Sequence, residues 1–304
     1  MTFHIGEAVE LTTKPEWGPG VVLDDPHGDK LKVLFPRVGE KTLSLKFAKL
    51  IKATVNEEQL LVLQRFRRPT GKYQSLDELV QKFLHYYPGG FYDEKYGERK
   101  FKLELVELHK ETLNEDNLRQ LVTNEEYSEV VKRARHLLGA SVVPLPSRFE
   151  LIRFSDTLKD EEHQKLFSHS LLDHLYGSGT LEERFNLFAR CLEHIGISKW
   201  PIQTFFLFIA EPETQILLKP NITKNAAEAC AYELNYNTLP NWKTYYVLLG
   251  FAQYLKKELA RYGDSLSPRD MIDVHSFIYA SAGGYDGQAS VAARERVRGV
   301  SSTT

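Results

Sequence analysis

Apolar and polar positions alternate with a period of two near the start of the chain and with a period of about 3.6 after Asn56. The first pattern predicts short strands over residues 3–11, 20–23, 31–35 and 42–45. In the third of these, Leu31, Val33 and Phe35 fall on one face and Lys30 and Lys32 on the other. Turn-forming stretches separate them at Pro15 to Gly20, Asp24 to Gly28 and Arg37 to Gly39. Several short strands in so few residues predict a small closed barrel, since closure removes exposed edges.

The second pattern predicts helices with recognisable starts. Asn56 with Gln59, Ser75 with Glu78, Thr123 with Glu126 and Thr180 with Glu183 have capping-box spacing. The helix after Ser75 carries Leu76, Leu79, Val80, Phe83 and Leu84, and stops at Pro88-Gly89-Gly90. Further helices are predicted over 127–138, 160–176, from Thr223 through Tyr232, from Asn241 through Leu259, and after Ser267-Pro268. Residues 142–146 read as a connector. The most apolar part of the chain runs from Trp200 through Ile209. The expected fold is therefore α+β: a barrel over 1–54, a larger, mainly α-helical domain over 55–283, and a flexible tail over 284–304.

Composition adds constraints. Hydrophobic residues make up 42% and charged residues 26%, which is a globular balance. The longest apolar run is too short to span a bilayer, and no basic-then-apolar segment follows Met1, so neither membrane nor secretion signal is expected. Cys191 and Cys230 lie among apolar helical residues and read as buried thiols in a reducing cytoplasm. No cofactor is expected. A net charge of −2 argues against wholesale coating of nucleic acid, but a local basic groove needs only a few lysines or arginines.

The stretch Lys14-Pro15-Glu16-Trp17-Gly18-Pro19-Gly20-Val21-Val22, with Lys32 to Phe35 and Gly39-Glu40-Lys41-Thr42-Leu43, resembles a small bacterial Tudor- or SH3-like barrel. Such modules occur on helicases and on DNA-repair and transcription proteins. The resemblance implies a docking or nucleic-acid module at the N-terminus, with Trp17 as a contact and a protein partner reached through the barrel.

Candidate chemistry lies elsewhere. The chain has no phosphate-cradling glycine loop, no dinucleotide fingerprint, no His-Glu-x-x-His and no Gly-x-Ser-x-Gly elbow. Asp270 and Asp273 are the candidate catalytic carboxylates. With Ser267 as N-cap, Asp270 falls at the third helical position, where a carboxylate meets free N–H groups. Asp273 sits among Met271, Ile272 and Val274, and must there find a partner, such as Arg269, or shift its pKa. The densest basic stretch, Gln64 to Tyr73, offers Arg65, Arg67, Arg68 and Lys72 to phosphates. Lys199, Lys219 and Lys243 sit at helix boundaries beside aromatics or proline and complete a candidate backbone-tracking set. Trp200 and Trp242 are either core or stacking platforms for an extruded base.

These features predict a cytoplasmic, DNA-associated protein of repair or defence type. The enzymatic expectation is metal-independent base excision by a DNA glycosylase, since one carboxylate suffices to stabilise a sugar cation and position water. Leu239 to Tyr245 resembles in outline the hairpin of helical glycosylases, but lacks its glycines. The alternatives are a non-catalytic adaptor docking on DNA, a helicase or RNA polymerase, and a metal-dependent nuclease.

Overall fold

The computed structural model describes residues 2–140 and 147–284. The expected connector at 142–146 and all but the first residue of the expected tail lie outside the described residues.

Five strands open the chain: β1 (Ala8–Leu11), β2 (Gly20–Val22), β3 (Lys30–Phe35), β4 (Gly39–Ser44) and β5 (Leu50–Lys52). They form one antiparallel sheet in the order β4-β3-β2-β1-β5. The longest pairing runs from Lys30 opposite Ser44 to Phe35 opposite Gly39. The two edges, β4 and β5, are not paired with one another, so the closed ring of strands expected from the sequence is not formed. β5 is only three residues long, and the chain entering it is occupied by a tight turn instead of ladder bonds.

Gly20 shows why this sheet needs its glycine. A Cβ there would lie 2.8 Å from the Leu34 carbonyl oxygen and 2.7 Å from the Phe35 ring. Phe3, Val9, Leu11, Val22, Leu31, Val33, Phe35 and Leu50 form a small core inside the curled sheet. The opposite face is also covered: Ala8, Val21, Leu23 and Leu34 join the main helical core. The sheet is thus built against the helices over an apolar face.

Among the described residues twelve helices follow: α1 (Glu57–Leu63), α2 (Leu76–Tyr86), α3 (Glu98–Thr112), α4 (Glu115–Thr123), α5 (Tyr127–Ala140), α6 (Arg148–Thr157), α7 (Glu161–Tyr176), α8 (Leu181–His194), α9 (Trp200–Ala210), α10 (Pro220–Ala229), α11 (Trp242–Leu259) and α12 (Met271–Ser281). The fold is α+β, as expected. Capping boxes form at Asn56, Ser75 and Thr180, where the sequence predicts them, and also at Ser147. Thr123 corrects an expectation: it ends α4, and the chain turns through Asn124 and the positive-φ Glu125 before α5. The predicted helix after Asn56 stops at Leu63, because Phe66 and Arg67 pair instead with the chain following α10.

From Trp200 to Ile209 every residue of α9 is buried, and α12 is almost as deeply enclosed, packing on α2, α3, α10 and α11. Among the described residues no helix is long and apolar enough to cross a membrane. Sheet and helices are tied by polar contacts as well. The Leu76 and Asp77 amides donate to the Pro36 and Arg37 carbonyls at 2.9 and 3.1 Å. Arg37 lies over the Tyr262 ring, 4.4 Å from its centre, and the Tyr262 hydroxyl donates to Asp77.

Candidate nucleic-acid interface

The two candidate carboxylates lie at the start of α12. Asp270 is the N-cap itself, accepting from the Ile272 and Asp273 amides at 3.0 and 3.3 Å, so the expected cap at Ser267 is displaced by three residues. The bulk of Met271 and Ile272 seats the helix start against the core, and a carboxylate satisfies the free amides there better than a hydroxyl upstream.

Both acids are matched by arginines. Arg99, on α3, donates to the two oxygens of Asp270 at 2.7 and 2.6 Å and to Asp273 Oδ1 at 3.1 Å. Arg269 donates to Asp273 Oδ2 through its backbone amide at 3.0 Å and Nε at 2.8 Å, and to Oδ1 through Nη2 at 3.1 Å. The Tyr96 hydroxyl donates to Oδ1 at 3.1 Å. Asp273 is 0% exposed and its two oxygens meet five donors. This is a structural counter-ion: no oxygen is left to activate water or approach a sugar. The expected catalytic role for Asp273 and Asp270 finds no support in this geometry, because two arginines converge where one was anticipated.

A second buried cluster adjoins it. Lys102 Nζ donates to Ser276 Oγ at 2.8 Å and Glu98 Oε2 at 3.4 Å, and lies 3.2 Å from His275 Nδ1. Burial pushes the Lys102 ammonium below its ordinary pKa, and pushes His275 well below its own. Above Arg99, Arg269 and Tyr96 opens a groove of about 840 Å³, walled by Leu103, Glu104, Glu107 and Glu111. Among the described residues no group of three or more His, Cys, Asp or Glu is close enough together to hold a metal ion.

The basic stretch behaves differently. Residues 65–74 lie alongside 229–235: the Arg67 amide donates to Ala231 O at 2.8 Å, Glu233 N to Arg65 O at 2.9 Å, and Gln74 N to Ala229 O at 2.8 Å. A groove of about 300 Å³ runs here, lined by Arg67, Arg68, Lys224, Glu228, Glu233 and Tyr236 among others. Arg67 pairs with Glu233, Arg68 with Asp24 of the sheet module, and Lys72 with Glu228 at 3.1 Å. With the Asn235 amide turned so that its oxygen faces Arg65, the two meet at 2.8 Å. Lys224 Nζ lies 4.9 Å from the centre of the Tyr236 ring and forms no ion pair with another described residue. Three cations of the lining, Arg67, Arg68 and Lys224, face two carboxylates, Glu228 and Glu233, a surplus of one positive charge, with Arg65 and Lys72 held beside it by Asn235 and Glu228. The ion pairs are solvent-exposed and individually weak, so an anion can exchange into them at small cost.

Two groove residues, Ala231 (φ 55°) and Asn235 (φ 50°), hold left-handed backbone. That conformation is uncommon for alanine and is kept here by the pairing with residues 65–67. Lys224, Ala231, Asn235 and Tyr236 were not legible as site residues; the only local signal was the run Tyr232-Glu233-Leu234-Asn235-Tyr236-Asn237, which interrupts the helical period.

The remaining candidates divide. Trp200 is buried, and its Nε1 donates to Asn237 O at 2.7 Å, so it is core and not a stacking platform. Trp242 is half-buried, with its ring 5.9 Å from that of Tyr246, which is 53% exposed. Lys243 is exposed beside them. Lys199 is exposed at a separate hollow with Phe149, Glu150 and Arg153. Lys219 is half-buried, with Nζ 5.8 Å from the Tyr279 ring centre, and burial lowers its pKa. Trp17 is half-buried on the edge of Phe35, with Lys41 Nζ 5.6 Å from its ring centre. The seven basic candidates thus fall into one cluster of four, of which Arg67 and Arg68 line the groove, and three scattered lysines.

In comparisons with known proteins, no family model matches the chain, no curated protein is significantly similar to it, and no solved structure matches it.

Proposed function

We propose that this chain is a DNA-associated binding protein of the adaptor type, which holds nucleic acid in the groove between residues 65–72 and 224–236. The observation that carries the reading is the positive surplus of that groove: Arg67, Arg68 and Lys224, the last over Tyr236, against Glu228 and Glu233, with Arg65 and Lys72 alongside. Phosphate contacts need such a local excess and not a basic protein overall. The strand order of the N-terminal sheet supports the resemblance to a small SH3-like module, and Arg68 on Asp24 joins that module to the groove. Base excision is the weaker reading, because Asp273 is fully spent on Arg99, Arg269 and Tyr96.

The test is fluorescence anisotropy with end-labelled oligonucleotides, single- and double-stranded, over a salt series. Binding should weaken linearly in log–log form, and Lys224→Ala should reduce the slope by about 0.7 to 0.9 as one phosphate contact is lost. Arg67→Ala should act likewise. No binding at low salt, or variants that bind as wild type with an unchanged slope, would refute the proposal.

A further inference from the structure

Phe47 is 85% exposed, at the tip of the connection between β4 and β5. Alternation from Leu43 and Leu45 would carry it inward, and those two residues do pack on the small core. A tight turn reverses it. The Phe47 and Ala48 amides donate to Ser44 O at 3.1 and 2.8 Å, and Ala48 takes the inward place. Beyond it, Lys49 O accepts from the Thr12 amide and hydroxyl, each at 3.0 Å. The ring is therefore presented by a turn anchored on both sides. Lys46 and Lys49, both exposed, flank it. Lys46 Nζ is 4.0 Å from Asp29, and Lys49 forms no ion pair with another described residue.

The turn is linked to the basic groove through one connection. Between β2 and β3, Asp24 holds Arg68 of the groove, and Asp29 accepts from Ser44 Oγ at 3.0 Å beneath the Phe47 turn. The two aspartates are five positions apart, so their Cα atoms are at most about 17 Å apart.

We infer that Phe47 is a stacking platform for an unpaired base, and that the nucleic acid held in the groove is accordingly single-stranded. An aromatic ring offered to solvent between two lysines fits a base with phosphates on either side, since every base has a face to stack and every linkage a charge to neutralise. In a duplex the base faces are covered and the ring has nothing to stack on. Favouring nucleic acid over an acidic protein surface is the linkage through Asp24 and Asp29, which puts the ring within one short connection of the phosphate-binding groove. This inference rests on the proposed function of that groove.

The experiment uses the full chain with Phe47→Trp and Phe47→Ala. Because the side chain is exposed, neither substitution disturbs the core. Addition of a single-stranded oligonucleotide should quench the extra tryptophan emission of Phe47→Trp relative to wild type, and a duplex of the same sequence should not. Phe47→Ala should bind the single strand about tenfold more weakly, within the usual range for loss of one stacked base. If the single strand binds, Lys224→Ala weakens it, and yet Phe47→Trp is not quenched and Phe47→Ala binds as wild type, then this inference is overturned while the groove survives. Equal quenching by duplex also overturns it. If no oligonucleotide binds at all, both readings fall, and an acidic protein surface becomes the partner to seek.

Discussion

Asparagine at position 273 is the sharpest perturbation of this fold. The substitution keeps size and shape but removes the charge and turns one acceptor into a donor. Asp273 is 0% exposed, and its Oδ2 receives the Arg269 amide and Nε while Oδ1 receives Tyr96, Arg99 and Arg269 Nη2. Whichever oxygen becomes the amide nitrogen, at least two donors lose their acceptor, at about 1–3 kcal/mol each where they are cut off from water. Arg269 also loses its own carboxylate partner, while Arg99 keeps Asp270. Removing one partner of a fully buried pair costs about 3–5 kcal/mol, and because the Arg269 side chain is 32% exposed and can rehydrate, the cost here is at the low end, about 3 kcal/mol. At about 2 °C per kcal/mol for a chain of this size, the melting temperature of Asp273→Asn should fall by roughly 6 °C. Differential scanning calorimetry or thermal circular dichroism reads this directly. A melting temperature within about 2 °C of wild type would refute the counter-ion assignment. Asp273→Asn that was also unable to release bases from DNA, while the wild type did so, would return that residue to catalysis.

Three further outcomes follow from named contacts. Gly90 has φ 66°, and a Cβ there would lie 2.2 Å from the Ser265 carbonyl oxygen; Gly90→Ala should destabilise the chain by about 2 kcal/mol or more, measured as a lower urea midpoint. Burial holds His109 down to about 4 and His174 down to about 3, against 6.5 when unfolded, so both fold neutral. Since the unfolded chain takes up these protons first, stability is intact above pH 6.5 and lost as pH falls below it; between pH 7.5 and 5 each histidine should cost about 2 kcal/mol, visible as a falling urea midpoint. A fragment of residues 1–54 should fail to give a cooperative melt, because Ala8, Val21, Leu23 and Leu34 would exchange the helical core for water; a sharp transition in that fragment would show that the sheet folds alone.

Local chemistry carried much of this architecture. The alternation of Leu31, Val33 and Phe35 and the spacing of Asn56–Gln59, Ser75–Glu78 and Thr180–Glu183 are short-range signals, and each appears in the structure as a strand or a capping box. Helix α3 escaped because Phe101, Leu103 and Leu105 alternate as a strand would, among many charges. That omission hid Arg99 and Lys102, and with them the partners of Asp270, Asp273 and Ser276.

What the sequence determined by itself was the α+β order of elements, the buried identity of α9 and α12, and the presence of an acid that had to be neutralised. Which groups neutralise it, whether Trp200 faces core or cleft, and how Arg67 and Arg68 come to share a groove with Lys224 and Tyr236 were decided by tertiary structure alone. The physical reason is range. Periodicity and capping act within one or two turns of chain, whereas an ion pair between residues 99 and 273, or a groove between residues 67 and 224, exists only once packing has brought distant segments within a few ångströms.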